Sequence, residues 1–472
     1  MIITIARREI LDTWRGGQVR LAGAILIGLL LLALAVGLQH QARADAARKT
    51  AQAEDTRIWL SQGKLNPHSA AHFGRYIFKP QGALAFVDEG VNPYAGSAVY
   101  LEAHVQTPSR ARPADDAALL PVFGELTAAL VLQLLVPLLI ILVAFAGFSG
   151  ERENGTFRQL LSVGVTRRAL VLGKALGLSA SLLAILVPVA VIGSAALLVS
   201  GHGAIDLLRL ALMSVGYLLY FIAFAGITLA VSARAPSSRQ ALVVLLGFWL
   251  LSSLLLPRLA VDAANHLAPV PTVASFRKVL ADDVRNGISG HDAEDARLSS
   301  VKAALFKQYG VSRIEDLPIN FDGIALSEGE RYGALVMDRR YGELWQQYQR
   351  QALVQRAFAL LTPLLAVKPV SMALAGTDLS VQRDFTEQAE RYRRQSIQLI
   401  NDDYTVNGKL DQWTDEAGGP ELWAKVPRFQ YVEPSMQAAL MPTLPDFALL
   451  VLWSGAALGL ALWAIRRTSV EI

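Results

Sequence analysis

The chain of 472 residues has no cysteine. That excludes disulfides, thiolate metal sites and thiol catalysis. Charge is also scarce: 18% of residues are Asp, Glu, Lys or Arg, while 53% are hydrophobic. A typical soluble domain carries about 25% charge, so this is an integral membrane protein with substantial soluble parts. The net charge of +4 fits Arg and Lys gathered at one membrane face and gives no sign of a nucleic-acid partner. No phosphate-binding Gly-x-x-x-x-Gly-Lys-Ser/Thr loop is present. The nearest candidate, Gly173-Lys174, is followed by Ala175, and Arg168 stands where the first glycine should be. The chain is therefore not expected to hydrolyse ATP or to hold a cofactor of its own. The apolar runs contain almost no ionisable groups, which argues against ion-driven transport. No hydrolase elbow is visible, and the paired carboxylates Asp115-Asp116 and Asp402-Asp403 sit in polar runs that read as solvated turns.

What is present is a series of long apolar runs. Residues 1–20 spread Arg7, Arg8, Arg15 and Arg20 around an apolar stripe and predict a short cytoplasmic helix in the membrane plane, ended by Gly16-Gly17. Span 1 covers 21–38 and span 2 covers 126–148; spans 3–5 fill 175–256, span 6 covers 447–465, and 466–472 is a tail. Residues 39–125 and 257–445 form two extracytoplasmic insertions. In the first, 39–61 has a helical pattern and the alternation over 97–106 predicts one strand, with Val99, Leu101 and Val105 on one face. The second has helical stripes through Tyr332–Tyr348 and Phe385–Ile400. Residues 357–375 are apolar but broken by Pro363, Lys368 and Pro369, and read as a buried or membrane-resting hairpin. Six spans put both termini, and every short basic segment, on the cytoplasmic side. The expected fold is thus an α-helical polytopic membrane protein with six transmembrane helices and two mainly helical insertions.

Residues 149–174 organise the rest. Five of the seven charges in this loop are basic, and Phe157, Leu160 and Leu161 recur at helical spacing before a Gly164 break. The segment Glu151-Arg152-Glu153-Asn154-Gly155-Thr156, followed by Leu160-Leu161-Ser162, Thr166-Arg167-Arg168 and Gly173-Lys174, resembles the cytoplasmic coupling loop of type-2 ABC exporter permeases. A second set, Leu374-Ala375-Gly376-Thr377-Asp378-Leu379 with Phe385, Tyr392-Arg393, Asn401, Leu422-Trp423 and Phe429-Gln430-Tyr431, resembles a bacterial subset of these permeases. In that subset an uncharacterised extracytoplasmic domain precedes the last span.

The resemblance implies the membrane subunit of an ATP-driven exporter in the bacterial inner membrane. ATP and Mg would be bound by a separate ABC ATPase, and a second permease subunit would complete a homo- or heterodimer. It also implies ATPase coupling through Glu151, Arg152, Glu153, Gly155, Thr156, Arg167 and Arg168. Glu151 and Glu153 would hold basic partner groups or cap the coupling helix, Thr156 would be its N-cap, and Arg167 and Arg168 would meet membrane lipid or acidic partner groups. The other function class is a membrane-anchored extracytoplasmic binding or assembly protein that does not pump. His68 and His72, four apart, are a weak metal candidate; with no HExxH pattern and only a short helix to carry them, no metal site is expected. Tyr76 and His104 are further residues that could lie near this pair, but nothing in the sequence places them there.

Overall fold

A computed structural model describes residues 1–112, 126–288, 294–410 and 418–468. Helix α1 (Ile2–Arg15) carries an apolar stripe and stops at Gly16, as its pattern predicts. Helix α2 (Gly17–Leu60) has 44 residues, about 66 Å at 1.5 Å per residue. The first apolar run therefore continues without a break into the charged segment beyond it. Next come α3 (Pro67–Phe73) and an antiparallel sheet of β1 (Arg75–Phe78), β2 (Ala98–Glu102) and β3 (Val105–Gln106), in the order β1-β2-β3. Tyr76 pairs with Tyr100. The single strand expected over 97–106 is two, because the chain reverses at Ala103-His104, where His104 has φ 67°. A two-residue reversal preserves the alternation, so periodicity could not reveal it; Val105, expected on one face with Val99 and Leu101, is exposed where they are buried.

The second span opens as α4 (Ala128–Leu130), widens into a π turn over Val131–Leu135 and continues as α5 (Val136–Ala144). The corner helices α6 (Ser149–Glu153) and α7 (Thr156–Ser162) follow, then α8 (Arg167–Val199) and α9 (Ala204–Arg234). The fifth span is α10 (Ser238–Leu250), a π turn over Leu251–Leu255 and α11 (Leu256–Leu267). Each π turn ends two residues before a proline, Pro137 or Pro257. Proline has no N–H and crowds the carbonyl one turn back, and a wide turn absorbs both effects. The fifth span accordingly runs on to Leu267 instead of ending at 256.

The region between the fifth and last spans contains α12 (Val273–Asn286), α13 (Glu294–Tyr309), α14 (Phe321–Phe358), α15 (Leu364–Ala375), α16 (Leu379–Asn407) and α17 (Pro420–Lys425). Helix α18 (Leu444–Arg466) is the last span. Among the described residues, seven stretches are long and apolar enough to cross a membrane, one more than the six expected. The seventh joins α15 to α16 and is interrupted at Gly376, whose φ is 73°. Its apolar part is α15 alone, 12 residues, about 18 Å long and too short to cross about 30 Å of hydrocarbon.

Contacts fix the path of this stretch. The Ala359 carbonyl accepts from Trp453 Nε1 at 2.8 Å, and Thr362 Oγ1 lies 2.7 Å from Ser252 Oγ. Trp453 and Ser252 both lie near the middle of their helices. Helix α14 therefore descends into the bundle, the chain turns at 359–363, and α15 returns past Tyr217, whose hydroxyl meets Ser371 Oγ at 2.9 Å. Both arms of this hairpin leave by the end at which they entered. The two termini share the opposite end, where Arg167 donates to the carbonyls of Arg466 and Thr468 and Lys174 binds Glu9. That sharing requires an even number of crossings, so the seventh stretch does not cross.

Helix α9 is the centre of the bundle. Tyr220, Phe221 and Phe224 are buried in the core it shares with α5, α8 and α15. Along α18, Ser454, Ala457, Ala461 and Ala464 are buried, and a Cβ on Gly226 of α9 would lie 2.8 Å from the Ala457 side chain. Small residues let two helix backbones approach closely where burial from water cannot drive packing.

Candidate coupling end and a histidine cluster

The corner α6–α7 is built from helix ends. Ser232 Oγ accepts from the N–H of Phe148 at 3.0 Å and of Ser149 at 3.2 Å, supplying the first turn of α6 with an acceptor. Arg152 donates to the carbonyls of Ala233 (2.6 Å), Ser232 (3.4 Å) and Ala235, at the C-terminus of α9. Its neighbour Glu153 accepts from the Ser238 N–H (2.8 Å) and hydroxyl (2.6 Å), at the N-terminus of α10. A cation thus meets the negative end of one helix and an anion the positive end of the next, as the helix dipoles favour. The hydrogen bonds from Ser238 hold the Glu153 carboxyl below the usual carboxylate range. Glu151 pairs with Lys174 at 2.9 Å, and the same ammonium reaches Glu9 of α1 at 2.9 Å. Lys174 is only 6% exposed, so this triad fastens α1 and α6 to α8.

Gly155 has φ 73°, the left-handed conformation that lets α6 end and α7 begin at once. It occupies the N-cap position; Thr156, expected there, is the first helical residue, and its hydroxyl donates to the Glu151 carbonyl at 3.2 Å. Phe157 is buried with Leu170, Leu229, Ala461 and Ile465, and Leu160 and Leu161 pack against them. One short helix therefore shares a buried apolar cluster with residues of α8, α9 and α18. Gly164, φ 82°, breaks it, and Thr166 Oγ1 caps α8 by accepting from the Ala169 N–H at 3.2 Å. Arg168 is exposed, as are Arg158, Gln159, Ser162 and Val163 on the outward side of α7. Of the charges singled out in the sequence, Glu151, Arg152, Glu153 and Arg167 are engaged with the chain's own helices. Glu9, Ser232 and Ser238 complete this end and escaped sequence reading. Each lies 80 residues or more along the chain from its partner, and none forms a local motif.

At the other end, the structure brings three imidazoles together. Asn66 caps α3 through the His68 N–H at 2.9 Å, and the helix carries His68 and His72 on one face, their Nε2 atoms 3.0 Å apart. His104 enters from the β2–β3 reversal, and one ring nitrogen from each of the three lies within 4.8 Å of the others. Glu330 of α14 accepts from both the N–H (2.5 Å) and Nδ1 (3.0 Å) of His104 and from Arg393 Nη1 (2.8 Å). Burial would raise the Glu330 carboxyl, but the His104 hydrogen bonds and the Arg393 charge overcome it and hold it down to about 2. Burial first, then the neighbouring His72 and His104, lower His68 to about 4. Arg393, 1% exposed, also pairs with Glu390 at 2.8 Å. The carboxylates Asp402 and Asp403 lie on α16, where they accept from Gln398 and Asn407. Asp115, Asp116 and the tail beyond 468 lie outside the described residues.

The fold and its two ends define a multi-pass helical membrane protein with a large helical domain inserted before the last span. Residues 114–252, in its membrane region, match the family model described as ABC-2 family transporter protein. Residues 274–432, from α12 to the stretch before α18, match a domain of unknown function, DUF3526. An ABC-2 domain is the transmembrane component of an ABC permease and is not itself catalytic. No curated protein matches the chain.

Proposed function

We propose that the chain is the permease subunit of an ATP-driven exporter in the bacterial inner membrane, with both termini cytoplasmic. A separate ABC ATPase binds ATP and Mg, and a second permease subunit, identical or different, completes the path. The observation that carries this reading is the corner α6–α7: a short helix between two spans whose buried face belongs to one apolar cluster with residues of α8, α9 and α18. A load applied to the outward face of α7, at Arg158, Gln159, Ser162 and Val163, passes into the three spans through the cluster that holds Phe157. Glu151, Arg152, Glu153, Gly155, Thr156 and Arg167 act in coupling by keeping this corner rigid. Arg168 remains outward, available to lipid phosphate or to acidic groups of the ATPase.

The test is affinity purification of the full chain from its native membrane, with identification of bound proteins and an ATPase assay. A stoichiometric P-loop partner is expected. Val163→Asp with Gln159→Glu should release it while leaving the permease folded. Glu151→Ala with Glu153→Ala should retain the partner but uncouple ATP hydrolysis from export; unchanged export in that variant would sink the coupling role. A clean preparation without ATPase in mild detergent would favour a membrane-anchored binding protein.

A further inference from the structure

We propose that His68, His72 and His104 form a binding site for one divalent first-row transition-metal ion, of the Zn²⁺ or Cu²⁺ class, with Glu330 as the positioning group for His104. The ligand atoms come from two separate pieces of chain. His68 and His72 are successive turns of one helix face, fixed by the Asn66 cap and by Pro67 at the helix start. His104 sits in a left-handed backbone conformation, φ 67°, unusual for a residue with a side chain. Its backbone N–H and its Nδ1 both end on Glu330, which turns the ring and leaves the other ring nitrogen for the pair. The three ring centroids lie 4.5 to 5.3 Å apart. Zn–N bonds of about 2.0–2.1 Å put tetrahedral ligand atoms about 3.3–3.4 Å from one another. The 3.0 Å between the His68 and His72 nitrogens is close to that edge, and His104 need close by only part of its remaining separation.

The donor set selects the ion. Three imidazoles suit Zn²⁺, Cu²⁺ and Ni²⁺ and do not suit Ca²⁺ or Mg²⁺, which take oxygen ligands. A carboxylate on the far nitrogen of a ligating histidine fixes the tautomer and strengthens the donor, the role Glu330 is placed to fill. Glu330 is already bound by His104 and Arg393, so it is not a free base for hydrolysis. Three protein ligands leave a fourth position for water or a donor atom of a bound molecule, on the side where His72 is exposed. A bound ion would tie α3 to the β2–β3 reversal and, through Glu330, to α14. The inference does not depend on the exporter reading.

The full chain, purified in nanodiscs and stripped with EDTA, is titrated with Zn²⁺ by calorimetry and with Co²⁺ by visible absorption. One Zn²⁺ per chain is expected, with the absorption of tetrahedral cobalt. His72→Ala, at an exposed position, should abolish stoichiometric binding without loss of fold, and His68→Ala and His104→Ala should do the same. Glu330→Gln should keep the stoichiometry and weaken affinity by about 10–100-fold. Zn²⁺ should raise the unfolding midpoint of the parent chain and leave that of His72→Ala unchanged. Absence of stoichiometric binding in the parent chain, or binding that survives removal of all three histidines, would overturn the proposal.

Discussion

At the end of the bundle where the termini meet, several charged side chains close on backbone groups. Arg152 reaches three carbonyls at the end of α9, Glu153 an N–H at the start of α10, and Arg167 two carbonyls, one at the end of α18 and one just past it. At the other end, charge closes on charge: Arg393 bridges Glu330 and Glu390 deep inside the domain inserted before the last span. The difference lies in what a single substitution leaves behind. A lost cap uncovers a helix end that water can reach, whereas a lost charge in a buried hub strands its partner with no solvent to take it.

The largest effect should therefore come at the Arg393 hub. Arg393→Met leaves Glu330 buried without its guanidinium, while Glu390 keeps Arg394 at 2.8 Å, and should cost about 3–5 kcal/mol, read as a lowered unfolding midpoint of the purified chain. Lys174→Met tests the same rule at the termini end. Glu9 and Glu151 are each about one-fifth exposed, so about 2–3 kcal/mol is expected after allowing for screening. Adding Glu9→Gln and Glu151→Gln should recover part of that loss. If Lys174→Met proves as mild as removal of a cap, the triad is wetter than its burial implies and the contrast between the ends collapses.

The next effect is steric. Helix α1 crosses α8 over Gly173 and Gly177, and a Cβ on Gly177 would stand 2.6 Å from the Glu9 Cβ and 2.8 Å from the Ala6 carbonyl. Gly177→Leu should lift α1 away at about 1–3 kcal/mol. Because the chain has no cysteine, Ala6→Cys would be a unique reporter. Ala6 is buried, so maleimide labelling should be slow in the parent chain and fast beside Gly177→Leu. Equal labelling in both would mean that α1 is not seated on α8.

How much of this could be read from the sequence follows the same division. The spans and α7 rest on periodicity and on runs of one kind of residue, and these survive without tertiary context; Phe157, Leu160 and Leu161 occupy the buried face their spacing assigns. The hairpin 359–375 announced itself through Pro363, Lys368 and Pro369, but its depth depends on Trp453 and Ser252, each about 90 residues or more away. Continuation of the fifth span past Pro257 was hidden because a π turn has no composition of its own. The third histidine was hidden for another reason: His104 joins His68 and His72 only because a reversal interrupts an alternation that reads as one strand.

The smallest effect sharpens the comparison most. Arg152→Met removes donors from the end of α9 and breaks no pair of buried charges. The carbonyls of Ala233 and Ala235 then turn to water at the bundle end, and the loss should be about 1 kcal/mol. Under the exporter reading, export should fall further than so small a change in stability explains. Arg152 and Glu153 together clamp the loop 235–237 between two spans, and a loosened clamp lets α7 move without carrying α9 and α10. Export rate and unfolding midpoint measured on the same preparation separate the two effects. A fall in export with the midpoint nearly held identifies the clamp as part of the coupling path. Full export from Arg152→Met would reduce it to a cap and leave the Phe157 contact as the route between α7 and the spans.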